Sequence, residues 1–133
     1  MNVLDIRPSC NADCSPDTTG YRALQENRIS PDMARSLYPE RATLALVWRY
    51  LATCGSTIEE APLCLCRKIV RWSGQSLSLG QLLTCLDIFR DVGLLQTSRQ
   101  HKYISIHLTP GPRKADLSES QTLQRLLQVK ESD

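Results

Sequence analysis

SLSLGQLLTCLDIFRDVGLLQTSRQHKYISIHL, residues 76–108, is the stretch of this chain that decides its fold. Its first half has the spacing of an amphipathic helix, with apolar residues at three- and four-residue steps. The residues of this apolar face are Leu79, Leu82, Leu83, Leu86 and Phe89. Ser78 and Gln81 have the spacing of a capping box, and Gly93 stands where a helix commonly ends in a left-handed residue. We therefore predict a helix over residues 78–92.

The second half of the stretch has the pattern of two strands joined by a polar turn. Leu94 and Leu95 open the first strand. Over residues 103–108 apolar and polar side chains alternate, which is the period of a half-buried strand. Residues 96–102 are polar and are expected to form the tip. The helix is thus predicted to lead directly into a two-stranded hairpin.

Two further helices are predicted upstream. Pro39 suits a first helical turn, where its missing N–H costs nothing. The apolar face that follows consists of Leu44, Val47, Trp48 and Leu51. The next helix starts between residues 56 and 62, because Thr57 and Glu60 have capping-box spacing, whereas Pro62 fits best in a first turn. It is expected to end at Gly74.

The flanking segments are less regular. Residues 7–20 have the composition of a loop, and residues 21–38 show weak helical character that Pro31 interrupts. A short helix is predicted to start at residue 118 or 120 and to end at residue 129. The predicted parts are an N-terminal segment, partly irregular, at 1–38, a central domain at 39–108 and a C-terminal tail at 109–133.

Three helices followed by a hairpin is the element order of a winged-helix domain, a relative of the helix-turn-helix motif. The predicted fold class is α+β, a winged helix of three helices plus a β-hairpin wing. A loop-rich N-terminal segment precedes it and a short C-terminal helix follows. Domains of this kind mostly bind nucleic acid or a partner protein and seldom perform chemistry.

Charge is distributed unevenly along the chain. The formal net charge of +2 on 133 residues does not by itself indicate nucleic-acid binding. However, no carboxylate occurs between Asp91 and Asp116, whereas four basic residues do. The hairpin and the segment after it are therefore predicted to form a local basic zone.

Location follows from what the sequence lacks. No apolar run approaches the length of a membrane span, and the N-terminus lacks the basic flank and apolar core of a signal peptide. A cytoplasmic protein without membrane association is expected. The six cysteines are then expected to stay reduced.

Two motifs resemble one protein family. Residues 39–51, PERATLALVWRYL, resemble a P-x-R-x-x-L-x-x-V-Y-R-x-L pattern, with Trp48 where the pattern has tyrosine. Residues 114–120, KADLSES, resemble K-x-D-L-x-x-S. Both patterns belong to the C-terminal region of the single-strand-specific exonuclease RecJ of Gram-positive-type bacteria. The resemblance extends over residues 21–128.

The resemblance implies an accessory, non-catalytic role. RecJ nucleases use metal-binding Asp and His residues, including a DHH motif, in separate catalytic domains. This chain has no DHH motif and only two histidines, His101 and His107. It would position single-stranded DNA, or a DNA-bound partner, for a 5′–3′ exonuclease in DNA repair and recombination. The implied partners are single-stranded DNA or a single-strand-binding protein, and a RecJ-like nuclease core in cis or in trans. No cofactor is expected.

The predicted recognition helix is a weak reader of bases. Gln81, Thr84 and Arg90 are its main polar side chains, while Asp87 and Asp91 would repel phosphate. Better candidates lie on the preceding helix, on the wing and just after it. The predicted nucleic-acid contacts are Arg67, Lys68, Arg71, Arg99, His101, Lys102, Tyr103, Arg113 and Lys114. Such cations would hold phosphates without reading sequence.

These candidates have simpler interpretations too. The basic residues at 67–71 are also what a solvated helix face with favourable C-terminal charges would show. Tyr103 and Trp72 are suited to stacking on exposed bases, although Trp72 equally suits the edge of the core.

Metal binding and nucleophilic catalysis are disfavoured. A zinc site of Cys10, Cys14, Cys64 and Cys66 would need two thiolates that lie about 200° apart on a predicted helix. Both histidines lie in the hairpin, a poor platform for a catalytic base. Cys54, Cys64 and Cys85 fall at or near apolar positions and are expected to pack as small hydrophobes. No catalytic and no metal-binding residue is predicted.

Two other functions remain open. A protein-docking winged helix would present an exposed apolar patch. A small DNA-binding transcriptional regulator would need a dimer and a donor-rich recognition helix.

Overall fold

A computed structural model describes residues 16–100, 102–110 and 115–131 of the chain. Within these ranges the protein is α+β, with six α-helices and a small three-stranded antiparallel sheet. The predictions for residues 1–15, and those for His101, Arg113 and Lys114, lie outside the described residues.

The elements follow one another from the N-terminal helices through the sheet to a last helix. In chain order they are α1 Thr19–Gln25, α2 Pro31–Leu37, α3 Arg41–Thr53, β1 Thr57–Glu60, α4 Pro62–Ser73, α5 Leu79–Asp91, β2 Leu95–Gln100, β3 Tyr103–Leu108, a 3-10 turn at Leu117–Glu119 and α6 Gln121–Lys130. Among these helices, none combines the length and the apolar composition that crossing a membrane requires.

Helix α5 forms as predicted from its sequence. The Ser78 hydroxyl accepts a hydrogen bond from the Gln81 N–H at 3.1 Å, and the Gln81 side chain accepts one from the Ser78 N–H at 3.2 Å. This reciprocal pair satisfies two N–H groups that a helix start otherwise leaves open. Gly93 follows the helix at φ +81°, the left-handed conformation expected there. Leu86 and Phe89 are each 2% exposed, which confirms their place in the core.

Strand β1 corrects one prediction. Thr57–Glu60 is a strand and not the first turn of a helix, so the capping box predicted there is wrong. Ile58 is buried between exposed neighbours and lies opposite Ile106 of β3. Four residues are too few for the sequence to show this period clearly. Helix α4 starts at Pro62 in its first turn, in agreement with the later of the two predicted starts.

The hairpin is longer than predicted. Strand β2 continues to Gln100 and β3 begins at Tyr103, so residues 96–100 belong to a strand and not to the tip. The sheet order is β1-β3-β2. The outer end of β2 lies beyond the core and is exposed on both faces, which explains its polar composition and the misplaced tip.

Two hydrophobic clusters hold the elements together. The larger one fills the space between the sheet and helices α3, α4 and α5. The smaller one joins α1, α2 and α6 through Leu24, Ala34, Leu37 and Leu126. Helix α5 lies between the clusters and is buried at every position from residue 82 to residue 89. The order helix, strand, helix, helix, hairpin is compatible with a winged-helix arrangement.

Candidate nucleic-acid interface

The predicted nucleic-acid-binding residues that the structure describes lie on three separate surfaces: one face of α4, the outer face of the hairpin and a groove between the hairpin and α1. The first is the exposed face of α4, which carries Arg67, Lys68 and Arg71. Lys68 forms an ion pair with Glu60 of β1, and this hydrogen bond raises the pKa of Lys68. The positive charge of Lys68 is therefore already partly neutralised by a carboxylate of the protein itself.

Trp72 stands at the end of the same helix and is 49% exposed. Its ring meets Tyr50 of α3 edge to face, with 5.5 Å between the ring centroids. Trp72 thus packs at the margin of the molecule, with half of its surface open to solvent.

The hairpin has two faces, and they carry different residues. Arg99 lies opposite Ile104 in the β2–β3 register and therefore shares the face that turns towards the helices. Tyr103 lies on the opposite face and is 59% exposed. Its neighbours there are Glu59 and Ser105, whose hydroxyl donates a hydrogen bond to the Glu59 carboxylate at 3.1 Å. Tyr103 and Arg99 are consequently not brought together, and a carboxylate stands beside Tyr103.

Arg99 and Lys102 border a groove between the hairpin and α1, with a volume of about 670 Å³. Arg22 of α1 lines the same groove. The apolar part of the lining comes from the starts of α4 and α5, with Pro62, Leu63, Leu79 and Leu83. We call this feature the hairpin groove.

The hairpin groove has an excess of positive charge. Arg22, Arg99 and Lys102 are exposed cations, whereas Glu26 is the one carboxylate among the described lining residues. Glu26 itself forms an ion pair with Arg28. The arrangement therefore suits an anionic occupant that also has an apolar part.

The sequence does not indicate that Arg22 and Tyr21 of α1 belong to a site, although both line this groove. Helix α1 has only seven residues and a weak apolar pattern, so nothing local marks it as part of a site. Its position depends on contacts with α2 and α5. A basic residue beside an aromatic residue, as in Tyr21-Arg22, is the only signal that the sequence offered.

A partly buried hydrogen-bond network fixes α1 on α5. The Tyr21 hydroxyl donates to Asp87 Oδ2 at 2.9 Å, and Gln25 Nε2 donates to the Tyr21 oxygen at 2.9 Å. Arg90 pairs with the other oxygen of Asp87 at 3.0 Å. Burial and the Asp87 charge raise the pKa of Tyr21, so its hydroxyl remains a donor. The Tyr21 ring, which lines the hairpin groove, is thereby held in one orientation.

Two carboxylates of α5 bind neighbouring helices. Asp87 is only 8% exposed and anchors α1. Asp91 accepts hydrogen bonds from the Ser120 hydroxyl at 2.8 Å and from the Thr122 N–H at 3.0 Å. Asp91 thus binds the start of α6.

The polar side chains of α5 are also used within the protein. Thr84 is buried and donates to the Gly80 carbonyl at 2.8 Å. Gln81 completes the capping box and donates to the Ser36 carbonyl of α2 at 3.3 Å. The sheet covers one side of α5, and α1, α2 and α6 cover the other, so the described residues leave this helix no free face for a DNA major groove.

The burial of the cysteines differs in part from the prediction. Cys85 is buried as expected, and burial raises the pKa of its thiol to about 12. Cys54 and Cys64 are exposed, so the expectation that they pack as hydrophobes is wrong, and Cys66 is the buried member of the pair on α4. Within the described ranges, no three His, Cys, Asp or Glu side chains cluster as metal ligands would. Cys10 and Cys14 lie outside those ranges.

A second groove, of about 450 Å³, is mainly apolar, and we call it the apolar groove. Leu44 and Trp48 of α3 line it together with Phe89, and Trp48 meets the Phe89 ring edge to face at 5.3 Å. Arg41 and Leu117 also line it. Residues of the ranges 39–51 and 114–120 therefore meet at the apolar groove.

Comparison of the chain with protein-family models, with curated proteins and with solved structures gives no significant match.

Proposed function

We propose that this chain is a non-catalytic accessory domain of a RecJ-like exonuclease, and that its winged-helix unit positions single-stranded DNA for the nuclease core. One observation carries the proposal: Arg99 and Lys102 of the hairpin border the same groove as Arg22 of α1. Cations that converge from two elements form a continuous attractive surface for a phosphate backbone.

The covered recognition helix favours a single strand over a duplex. A helix-turn-helix protein reads duplex DNA by placing its second helix in the major groove. Here that helix, α5, is buried between two hydrophobic clusters. The cations that remain accessible lie beside an apolar, aromatic lining, which is the combination that single-strand binders use. For the same reason a transcriptional regulator is not proposed.

The RecJ assignment rests on the two motifs. They lie far apart in the sequence, yet both contribute to the apolar groove beside α3. On this proposal the nuclease core, in cis or in trans, supplies the metal-dependent hydrolysis, and this domain alone hydrolyses nothing. We expect the role to belong to DNA repair and recombination in the cytoplasm.

Fluorescence anisotropy with labelled oligothymidine and a matched duplex tests the proposal. We expect salt-sensitive binding that favours the single strand. The double variant Arg99→Glu/Lys102→Glu should weaken binding regardless of sequence, because it reverses two of the three groove cations. Arg41→Glu/Arg49→Glu is the matched control, since both residues are exposed, neither lines the hairpin groove and neither is a predicted nucleic-acid contact. Unchanged binding by the groove variant would show that the assignment to this surface is wrong.

Protein docking is the second candidate function, and the apolar groove favours it. An accessible groove lined by Leu44, Trp48 and Leu117 suits an apolar segment of the nuclease core or of a single-strand-binding protein. Leu117 lies in the short 3-10 turn, partly buried at the edge of the core. Leu117→Glu should abolish such an interaction, and the circular dichroism spectrum of the variant checks that the fold is kept. Calorimetric titration with each partner checks this, and unchanged affinity for both would exclude docking at the apolar groove.

A further inference from the structure

We propose that the hairpin groove takes an unpaired nucleobase between Tyr21 and its apolar lining, while Arg22, Arg99 and Lys102 hold the adjoining phosphates. This inference rests on the proposed function and deepens it. It states which part of a single strand the groove recognises and why a paired strand is rejected.

The lining of the groove supports a base as the occupant. Leu63 and Leu79 are partly exposed within it, and Leu83 lies deeper, at 6% exposure. An aliphatic surface offers no hydrogen-bond partner to the edge of a base, but it covers the flat face of any base. The volume, about 670 Å³, is in the range of roughly 300–1,000 Å³ typical of small-ligand sites.

Tyr21 supplies the aromatic surface. Its hydroxyl is tied to Asp87 and Gln25, both at 2.9 Å from the Tyr21 oxygen, so the ring has little freedom to turn away from the groove. A ring held in place loses less side-chain entropy when a base stacks on it. Asp87 therefore acts as a positioning residue, through Tyr21, and does not touch the DNA.

The three cations of the groove indicate that the ligand also carries phosphates. Arg22 lies on α1, one residue after the stacking ring, while Arg99 and Lys102 lie across the groove on the hairpin. Phosphates on either side of an inserted base can then meet cations from both walls. A base within a duplex is paired and stacked. Its insertion into the groove would require unpairing, a free-energy cost that does not arise for a single strand.

Abasic DNA provides the test. Anisotropy titrations compare oligothymidine with an oligonucleotide of the same length and charge in which the bases are replaced by abasic sites. The parent protein should bind the base-bearing strand at least about five-fold more tightly, which corresponds to about 1 kcal/mol of stacking. Tyr21→Leu and Leu63→Ala should each reduce this ratio towards one, whereas Tyr21→Phe should retain most of it because the ring remains.

The outcomes separate this inference from the proposed function. If the parent binds both oligonucleotides equally in a salt-sensitive manner, the inserted base is excluded and the DNA-positioning role stands. If neither oligonucleotide binds at low salt, the proposed function fails and this inference fails with it. If the base-bearing strand is preferred but Tyr21→Leu and Leu63→Ala keep the full ratio and the parent's circular dichroism spectrum, the base lies elsewhere.

Discussion

Asp87 connects two helices at a single point. Its carboxylate accepts from Tyr21 and Gln25 of α1 and pairs with Arg90 of its own helix. A substitution that removes the acceptor leaves the partly buried Tyr21 hydroxyl without its acceptor, whereas Gln25 and Arg90 are exposed and remain open to water.

At this residue we expect Asp87→Ala to destabilise the protein by about 1–3 kcal/mol, the cost of a buried polar group without a partner. Asp87→Asn is the matched control, because it keeps an oxygen acceptor for Tyr21 and should cost less. Urea unfolding at neutral pH measures both. Equal stability of the parent and Asp87→Ala would contradict the network as described.

Leu86 tests the core face of α5. It is 2% exposed and belongs to the cluster beneath the sheet. Leu86→Ala should cost about 2–5 kcal/mol, because it removes buried methyl groups and leaves a cavity. Denaturant unfolding gives the value, with the exposed Leu127 substituted in the same way as control. A cost for Leu86→Ala as small as that of the control would overturn the assignment of the helix face.

At the scale of elements, helix α6 joins the C-terminal tail to the rest of the fold by packing against α1 and α2. It starts one residue after the later of the two predicted starts, residue 120, and ends one residue after the predicted end, residue 129. Its docking depends on Leu126, which is fully buried, and on Asp91. Asp91 accepts from the Ser120 hydroxyl, whose oxygen in turn accepts from the Leu123 N–H at 3.2 Å, so one carboxylate supports the whole N-terminal cap of the helix.

This contact predicts a dependence on pH. Partial burial raises the pKa of Asp91, but the hydrogen bonds from Thr122 and Ser120 outweigh burial and lower the pKa below its usual 3.8. The stability contributed by Asp91 is thus fully present above pH 3.8 and is lost as the pH falls through the folded-state pKa.

Asp91→Asn removes the titratable charge and keeps an acceptor for the cap. At neutral pH it should be less stable than the parent by about 0.2–1 kcal/mol, the usual range for an exposed charged contact, because only the charge is lost. Urea unfolding from neutral pH down to pH values below 3.8 should show the difference shrinking as Asp91 is protonated. A difference that stays constant over this range would show that the charge of Asp91 plays no part.

Elements with a strong local signal could be predicted from the sequence, and those that depend on distant partners could not. The apolar spacing and cap of α5 are complete within residues 78–93, and the structure has this helix as expected. Strand β1 is only four residues long and becomes recognisable only through its pairing with β3. The sequence predicts a turn at residues 96–100 because their polarity reflects exposure beyond the core.

At the scale of the whole molecule, strand register and helix packing determine the surface on which each charged side chain lies. The sequence singles out Arg99 and Lys102, but it also groups them with Tyr103, which the pleat of β3 places on the opposite face. Arg22 is overlooked, because α1 gains its position only by packing against α5 and α2. A candidate site could therefore be predicted as a set of basic residues, whereas its shape required the tertiary structure.

The most direct test of the central claim is the salt dependence of single-strand binding by the parent, by Arg99→Ala/Lys102→Ala and by the control Arg41→Ala/Arg49→Ala. Each phosphate contact contributes about 0.7 to the slope of log K against log salt for a single strand. Loss of both hairpin cations should thus reduce the slope by about 1.4, while the control keeps the slope of the parent. An unchanged slope for Arg99→Ala/Lys102→Ala, or the same reduction in the control, would contradict the claim that single-stranded DNA binds at the hairpin groove.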